Sequence, residues 1–505
     1  MSEVLLGIDI GTSACKAAAF DKNGTVLAQA NESYPVYYLK SGWAEQNPVD
    51  WWSSVCKAIH TVLDRGVNAS DIVGIGIDGQ SWSAVPVDKN GEVLSFTPIW
   101  MDTRAAEICE QMKAACGEQR LFETSGNPVQ PMYTMPKVLW YKENWPQVYR
   151  QACKILQSNS FIACRLTGAM TQEPSQGYGW NCYNMKHGEW DRDLCAELGV
   201  EPSLLPDIVP CHAVVGRVTK QAAHQTGLME GTPVVAGGLD AACGTLGAGV
   251  VHAGETQEQG GQAGGMSICI DRCSADRRLI LGAHVAEGLW LLQGGTTGGG
   301  GTVRWFEKEF CAAERADAKA NGTNAFAEID RGASRVPAGS EGLVFLPYMA
   351  GERSPIWNAG AKGVFYGIDF SKTRAHFARA VMEGVAYSLK HNLEVAEEAG
   401  AHAEVLSAMG GAANSSLWMQ MKADITGRRI TVPSADTATA LGAAMLAGVG
   451  TGLYSGFEEA VARTVKIKSE YVPNAENAEV YGRGYKIYRQ LYENLKKLMS
   501  EGAKE

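Results

Sequence analysis

Several motifs that identify common catalytic sites are absent from this chain. No glycine is followed by lysine, so there is no Walker A phosphate loop. Neither H-E-x-x-H nor G-x-S-x-G occurs, which excludes the usual zinc-protease helix and the nucleophile turn of α/β-hydrolases. Residues 74–79 match G-x-G-x-x-G, but the residues after them alternate like a strand, whereas a dinucleotide site needs a helix there. We therefore expect neither a nicotinamide nor a flavin cofactor.

Positive charge and long apolar segments are also scarce. Lys and Arg total 45 against 55 Asp and Glu, and the net charge of −10 gives no general attraction for nucleic-acid phosphates or anionic lipid. Residues 437–457 carry no charge, but five glycines and several Ala and Thr interrupt them, which disfavours a membrane helix. We expect no nucleic-acid partner and no membrane partner.

Closely spaced cysteine pairs are missing as well. The number of cysteines, 13, is odd, and none belongs to a C-x2-C pair. Both features are typical of reduced thiols. The N-terminus has acids at Glu3 and Asp9 and no basic segment before its short apolar run, unlike a secretion signal. These features predict a cytoplasmic protein.

The patterns that are present indicate a large α/β protein. An apolar strand to Ile10, a turn, and a return to Phe20 predict a hairpin, and the turn Asp21–Gly24 predicts a third strand. A similar pattern over residues 72–94 predicts a second antiparallel ribbon. Between them, Asn47-Pro48 predicts the start of a helix that ends at Gly66.

Small residues become frequent after Gly231, in GTPVVAGGLDAACGTLGAGVV and later in GGTTGGGG at residues 294–301. Strong helical patterns resume afterwards, for example over residues 376–398. We therefore predict two α/β domains, residues 1–250 and residues 251–505.

Two glycine-rich turns beside an aspartate are candidate functional sites. Asp9 is followed by Gly11-Thr12-Ser13, where backbone N–H groups can bind phosphate oxygens while the carboxylate holds Mg²⁺. The alternative is an ordinary turn. Asp240 ends the apolar run 233–239 and is either a helix N-cap or a catalytic base. Phosphoryl transfer needs bound phosphates, a metal ion that contacts them and an acceptor hydroxyl in line with the transferred group. Two glycine-rich turns with two carboxylates can provide these.

A third glycine turn lies in Met409-Gly410-Gly411-Ala412-Ala413-Asn414, before a helix that we expect to run to Thr426. The backbone of such a turn can approach a flat adenine ring closely. Tight helix packing explains the same glycines equally well.

Together these segments resemble the FGGY family of carbohydrate kinases over nearly the whole chain. The resemblance rests on seven collinear segments: GIDIGTS (7–13), GWAEQNPVDWW (42–52), PMYTMPKVLW (131–140), GLDAACGTLGAG (238–249), FLPYMAGERSP (345–355), GVFYGIDFSKTRAHFARAVMEG (363–384) and MGGAANSSLW (409–418).

This resemblance implies a fold and an activity. The fold is α/β, with two actin-like (ribonuclease H-like) domains and a catalytic cleft between them. The activity is ATP-dependent phosphorylation of a small sugar, most similar to that of the xylulokinase subgroup. In this family the first domain binds mainly sugar and the second mainly ATP, and closure of the cleft excludes water. A homodimer is a further expectation.

The resemblance also implies roles for individual residues. Asp240 is the base for the sugar hydroxyl, Asp9 is the metal residue for Mg²⁺, and Thr12 and Lys16 lie near the transferred phosphoryl group. The remaining expected nucleotide residues are Gly11, Gly261, Gly294, Gly410, Gly411 and Asn414, with Gly294 on a loop. The expected sugar pocket comprises Gln80, Ser81, Trp82, Trp100, Asp102 and Asp240.

Two departures leave the substrate open. Xylulokinases usually have Met-His where this chain has Ser81-Trp82, and a phosphate loop that commonly reads GTSG is Gly261-Gln262-Ala263-Gly264 here. A pentulose such as D-xylulose is the first expectation. Another ketose such as ribulose, a polyol such as glycerol, and an aldonate such as gluconate are the alternatives within the family. An actin-like ATPase without a sugar substrate is the alternative outside it.

Overall fold

The computed structural model of the protein describes residues 3–434 and 437–502. These residues form two compact units. The first comprises Met1–Val251, Ile270–Leu291 and Thr437–Lys466, as far as these ranges are described. The second comprises His252–Cys269, Leu292–Asp436 and Ile467–Glu505, with the same restriction. The first unit thus contains two segments from later in the chain, in addition to the residues up to 251.

The α-helices and strands alternate along the chain in a mixed α/β order. The helices are α1 (Pro48–Asp64), α2 (Ala106–Cys116), α3 (Glu118–Ser125), α4 (Thr134–Asn144), α5 (Pro146–Gln151), α6 (Ser158–Thr167), α7 (Arg192–Glu197), α8 (Lys220–Thr226), α9 (Asp240–Gly247), α10 (Gly300–Phe310), α11 (Ala312–Asn321), α12 (Ala325–Ala333), α13 (Arg374–Glu398), α14 (Ser416–Thr426), α15 (Ala438–Gly450), α16 (Phe457–Thr464) and α17 (Ala478–Gly502). Short 3₁₀ helices cover Ala69–Asp71, Pro174–Trp180, Pro202–Leu204, Ser340–Gly342, Gly411–Asn414 and Ala475–Asn477.

The strands are β1 (Val4–Ile10), β2 (Ala14–Asp21), β3 (Val26–Ser33), β4 (Glu45–Gln46), β5 (Ile72–Gly79), β6 (Val85–Val87), β7 (Thr97–Pro98), β8 (Lys154–Leu156), β9 (Thr171–Gln172), β10 (Tyr183–Asn184), β11 (Glu189–Trp190), β12 (Asp207–Ile208), β13 (Val214–Arg217), β14 (Pro233–Val235), β15 (Gly238–Leu239), β16 (Glu255–Gly260), β17 (Gly264–Ile270), β18 (Ile280–Ala283), β19 (Trp290–Thr296), β20 (Val344–Leu346), β21 (Val364–Tyr366), β22 (Val405–Met409), β23 (Arg429–Pro433) and β24 (Ile467–Tyr471).

The two units share a sheet topology. In the first, the order is β13-β14-β5-β1-β2-β3, with β1, β2 and β3 antiparallel to one another and β5 parallel to both β1 and β14. In the second, the order is β19-β17-β16-β22-β23-β24, with an antiparallel pair β16–β17 and parallel strands β22 and β23 on the other side. Each sheet therefore joins an antiparallel meander to parallel strands whose carboxyl ends share one edge.

The sheet of the first unit is covered on both faces. Ile8 and Ile10 belong to an apolar core with Trp51, Val55 and Ile59 of α1. On the opposite face, helix α15 packs against β1 and β5 at very short range. A Cβ atom on Gly7 would lie 2.0 Å from the carbonyl oxygen of Ala440, and one on Gly76 would lie 1.8 Å from that of Ala443. These two positions accept only glycine, because the helix backbone occupies the space of a side chain.

Most of the local predictions agree with the structure. The first hairpin and the third strand are present, and Gly24 adopts a φ of 77° in the turn before β3. Helix α1 begins at Pro48, and the side chain of Asn47 accepts a hydrogen bond from the N–H of Val49. The uncharged segment forms the buried helix α15, and no helix in the part of the chain that the structure describes has the length and hydropathy of a membrane span.

The second antiparallel ribbon is a wrong prediction. Strand β5 is a central strand, parallel to β1, and only a short bridge between Val87 and Val93 closes a hairpin further on. Alternating apolar residues indicate a strand but not the direction of its neighbour, so the pattern could not distinguish the two arrangements. The glycines of the G-x-G-x-x-G match lie within this strand, as the rejection of a dinucleotide site predicted.

Candidate active site

Three aspartates lie at the carboxyl edge of the parallel strands in the first unit. Asp9 in β1 pairs in register with Asp78 in β5, so both side chains lie on the same face of the sheet. Strand β15 also pairs with β5, with Gly238 opposite Asp78, and Asp240 comes directly after it as the first residue of α9. The carboxyl edge of parallel strands is the usual ligand-binding edge of α/β sheets.

The three carboxylates affect one another. Burial raises the pKa of Asp240 to about 7, and the charge of Asp9 adds to this effect. Burial also raises the pKa of Asp9, whereas Lys16, opposite Asp9 on β2, lowers it. The pKa of Asp78 lies well above its usual range because the side chain is buried and the charges of Asp9 and Asp240 lie nearby. One lysine, Lys16, therefore acts on both Asp9 and Asp78, and the three carboxylates together favour a cation.

Asp240 is the first residue of helix α9 and not its N-cap. The N-cap residue of α9 is Leu239, and one oxygen of Asp240 accepts a 2.6 Å hydrogen bond from the N–H of Ala241. Its other oxygen is available to accept a proton. A pKa near neutral suits a group that must both take up and release one.

The phosphate-type turn after Asp9 is linked to the predicted sugar segments by side-chain hydrogen bonds. The indole nitrogen of Trp100 donates to the hydroxyl of Thr12 at 2.9 Å. The side chain of Gln46 donates to the carbonyl of Thr12 at 2.7 Å and accepts from Gln80 at 2.7 Å. The backbone of Gly11 closes the turn by donating to Ala14. The network therefore brings together four of the predicted residues: Gly11, Thr12, Gln80 and Trp100.

Trp82 occupies an aromatic cluster beside this network. Its ring lies 4.7 Å from that of Tyr133 and 5.6 Å from that of Tyr178, both in edge-to-face geometry. Only 8% of Trp82 is exposed, and its φ of 55° is rare for a tryptophan. Ser81, which precedes it, is partly exposed. Ser81 is thus more accessible to a ligand than Trp82.

Asp102 is engaged within the protein. Its carboxylate accepts hydrogen bonds from the guanidinium of Arg104 and from the N–H of Ala44, and the residue is fully buried. Arg104 also pairs with Glu45 at 2.6 Å. The oxygens of Asp102 are therefore occupied by protein groups that fix its loop. Nearby, Lys137 donates to the carbonyls of Trp82 and Ile99, which connects the two predicted sugar segments.

The second unit contains a cavity of about 420 Å³. Gly261, Gly411 and Asn414 line it, as predicted for a nucleotide pocket. Gly410 lies just behind the lining, where its φ of 86° allows its backbone to approach Gly260. The other lining residues are Gly260, Gln262, Gly300, Val303, Arg304, Asn324, Phe326, Ala327, Asp330, Met382, Ala412, Ser415 and Trp418.

Two glycine-rich backbones meet at one end of this cavity. The turn between β16 and β17 contacts the first residues of α10, where the N–H of Gly301 donates to the carbonyl of Gln262. A Cβ atom on Gly299 would lie 2.2 Å from the carbonyl carbon of Ala263. The unpaired N–H groups at the start of a helix are a common anion-binding device. The loop that lacks the usual hydroxyl residues thus keeps its glycine backbone in contact with the start of α10.

The structure corrects one predicted position and adds several residues. Gly294 lies within strand β19 rather than on a loop, and it faces Asn392 instead of lining the cavity. Arg304, Asn324 and Asp330 line the cavity but were not predicted. Four consecutive glycines, residues 298–301, span the start of α10 and are the signal that could have identified it. Asp78 was also missed, because only the strand register places it beside Asp9.

A divalent metal fits the carboxylates of the first unit. Among residues 3–434 and 437–502 no group of three or more His, Cys, Asp or Glu side chains is arranged to hold a metal. Mg²⁺, however, usually binds through one or two carboxylates together with water and substrate phosphates. Asp9 would supply one such carboxylate, and Asp78 lies opposite it in the adjacent strand.

Family models match both parts of the chain. The N-terminal domain of the FGGY family of carbohydrate kinases matches residues 4–247, and the C-terminal domain of the same family matches residues 277–451. The first match contains Asp9, Asp78 and Asp240, and the second contains the residues that line the cavity from Gly300 onward.

Individual relatives support the same family. The xylulose kinase of Bacillus subtilis is 32% identical, with 98% of this chain and 97% of that protein covered. The gluconokinase of Bacillus licheniformis is 29% identical over 95% of this chain and 94% of its own. The crystal structure of xylulose kinase from Rhodospirillum rubrum has a TM-score of 0.89 and 29% identity, and the match covers 99% of this chain and 100% of that one. This chain therefore belongs to the FGGY family of carbohydrate kinases and is an ATP-dependent sugar kinase with the actin-like α/β fold.

Proposed function

We propose that this kinase phosphorylates a pentulose, with D-xylulose as the first candidate. The observation that carries the proposal is the similarity to xylulose kinases over nearly the full length, together with Asp240 at the carboxyl edge of the sheet. The chemistry requires a hydroxyl that loses its proton as it attacks the γ-phosphorus of ATP.

In the proposed reaction, Asp240 is the general base. The O–H bond of the sugar breaks and its proton passes to the carboxylate, while a new O–P bond forms and the bond from the γ-phosphorus to ADP breaks. Two observations support this role. One oxygen of Asp240 is held by the N–H of Ala241, which orients the other, and the pKa of about 7 keeps a large fraction of the group ionised at neutral pH.

The turn after Asp9 would bind the reacting phosphates. Asp9 would hold Mg²⁺, and Thr12 and Lys16 would contact the transferred group through a hydroxyl and an ammonium. Mg²⁺, when bound, shares the negative charge of the phosphates. Lys16 lies directly opposite Asp9 in the hairpin, so the two side chains lie on the same face of the sheet.

ATP would occupy the cavity of the second unit. Gly411 and Asn414 line it beside Trp418, and the backbone at Gly261 and Gly300 borders one end. We assign the adenosine to the Gly411 side and the phosphates to the glycine-rich end, because the start of α10 favours negative charge.

Substrate choice would lie with the segment after β5. Ser81 is accessible and can both donate and accept a hydrogen bond, whereas Trp82 is almost buried and would shape the pocket through packing. The similarity to a gluconokinase keeps an aldonate as the second candidate. A homodimer stays a separate prediction, which light scattering on the purified protein can test.

A panel of substrates tests the proposal. ADP release is measured with xylulose, ribulose, glycerol and gluconate at equal concentrations, with and without the purified enzyme. We expect the highest kcat/KM with xylulose. Higher kcat/KM with gluconate or glycerol would overturn the pentulose assignment, and ATP hydrolysis that no sugar accelerates would overturn the kinase mechanism as well.

A further inference from the structure

Asp78 is a buried carboxylate without a compensating donor. It is 0% exposed, and neither of its oxygens accepts a hydrogen bond from an N–H group or hydroxyl of the described residues. Burial of an uncompensated charge is unfavourable by several kcal/mol, so such a group needs a proton, a cation or a functional reason. The roles proposed above for Asp9 and Asp240 do not use it.

The strand register directs Asp78 toward Asp9. The two residues are opposite each other in adjacent parallel strands, and in-register neighbours project to the same side of the sheet. On that side, Gly7 and Gly76 precede them and lie under helix α15. The two carboxylates therefore lie just beyond the region that the helix covers.

Asp240 has a different environment, which separates its role from that of Asp78. It is partly accessible, and one of its oxygens is already bonded to the N–H of Ala241. Asp78 interacts with the side chain of Asp9, no N–H group or hydroxyl of the described residues donates to it, and it has no access to solvent. A group of this kind suits a cation that binds next to Asp9 better than a sugar hydroxyl that enters from solution.

We propose that Asp78 is a second carboxylate of the divalent-metal site and binds the ion together with Asp9, directly or through one water molecule. This inference rests on the proposed function of Asp9. Two carboxylates with water and phosphate are a normal set of Mg²⁺ ligands. The ion supplies positive charge beyond that of Lys16, the one lysine opposite Asp9 in the hairpin.

Direct metal binding tests this proposal without reference to activity. Mn²⁺ is titrated into the metal-free full chain, and the free ion is measured by electron paramagnetic resonance. Asp78→Asn keeps the shape of the side chain and removes its charge, and we expect the Kd for Mn²⁺ to rise about tenfold or more. Asp88→Asn, which removes the same charge from an exposed turn of the same unit, serves as the matched control and should change the Kd less than twofold.

Asp9→Asn separates this inference from the proposed function. If Asp9→Asn weakens Mn²⁺ binding and Asp78→Asn does not, the role of Asp78 is overturned while that of Asp9 survives. If neither change affects the Kd for Mn²⁺, the proposed metal-binding roles of Asp9 and Asp78 are both overturned.

Thermal unfolding excludes a purely structural role. Without metal, Asp78→Asn should not lower the Tm, because it removes an ionisable group that is buried without an N–H or hydroxyl donor. With saturating Mn²⁺, the Tm of the unaltered protein should increase more than that of the variant. A variant that melts lower than the unaltered protein in both conditions, by the same amount, would overturn the proposal. Asp78→Ser provides a second substitution with a smaller side chain and the same expectation for the Kd.

Discussion

At the scale of single residues, the site depends on how protein surroundings alter ordinary carboxylates. Asp9, Asp78 and Asp240 have the same side chain but differ in exposure and in hydrogen bonding. The partly exposed Asp240 has a pKa near neutral, whereas the fully buried Asp78 has one well above its usual range. The three groups therefore suit different tasks within one small region.

Replacement of Asp240 by Asn should reduce kcat by at least about a hundredfold, because Asn has nearly the same shape but cannot accept the hydroxyl proton. Binding of an ATP analogue, measured by calorimetry, should be within about threefold of normal. The Asp88→Asn protein serves as the control for loss of one negative charge. Near-normal kcat in Asp240→Asn would remove this residue from the mechanism.

The pH dependence of the reaction should report the same group. A base must be deprotonated to act, so kcat/KM should fall roughly tenfold per pH unit below about pH 7 and level off above it. A divalent ion beside Asp9 offsets the negative charge that raises this pKa, so the inflection should move to lower pH as Mg²⁺ increases. Residual activity of Asp240→Asn should lack this inflection. An inflection that persists in the variant belongs to another group.

At the scale of secondary structure, glycines determine how closely α15 approaches the first sheet. Gly76→Ala should destabilise the protein by about 3 kcal/mol, since its Cβ atom would lie 1.8 Å from the carbonyl oxygen of Ala443. Gly482→Ala is the matched control, because this glycine lies in helix α17 with no atom within 4 Å of the added Cβ. That change should be neutral or stabilise the helix by up to about 1 kcal/mol. Chemical denaturation measures both.

Equal unfolding midpoints for the two glycine variants would contradict the packing described for α15. A loss of stability only in Gly76→Ala, with the helix content unchanged, would agree with it.

The sequence predicted elements whose determinants are local. Asn47-Pro48 identified the start of α1, and Gly11 identified the turn between β1 and β2, because a cap or turn depends on a few adjacent residues. The direction of β5 relative to β1 depends on residues far apart in the chain and was predicted incorrectly. Asp78 was overlooked for the same reason, and so were Asn324 and Asp330, which reach the cavity from helix α12 and the residue before it.

At the scale of the whole molecule, each unit should respond to its own ligand. Hydrogen exchange measured by mass spectrometry should slow in residues 260–264 and 409–418 when a non-hydrolysable ATP analogue binds, because these backbones border the cavity. Xylulose should slow exchange in residues 79–82 and 99–103 instead. Slower exchange only in the second unit with xylulose would contradict the assignment of the sugar segments. Residues 478–490 of α17 serve as an internal reference.

The order of segments along the chain has a consequence for biosynthesis. Strands β1 and β5 leave the ribosome early, whereas α15, which covers their glycine face, begins at Ala438. At about 5–20 residues per second, the interval between residues 80 and 450 is roughly 20–70 s. During this time the face that contains Gly7 and Gly76 lacks its covering helix, so a nascent chain halted before residue 438 should bind a hydrophobic dye, and the full-length chain should bind less. The first unit is thus completed only after its last segment, Thr437–Lys466, has been translated.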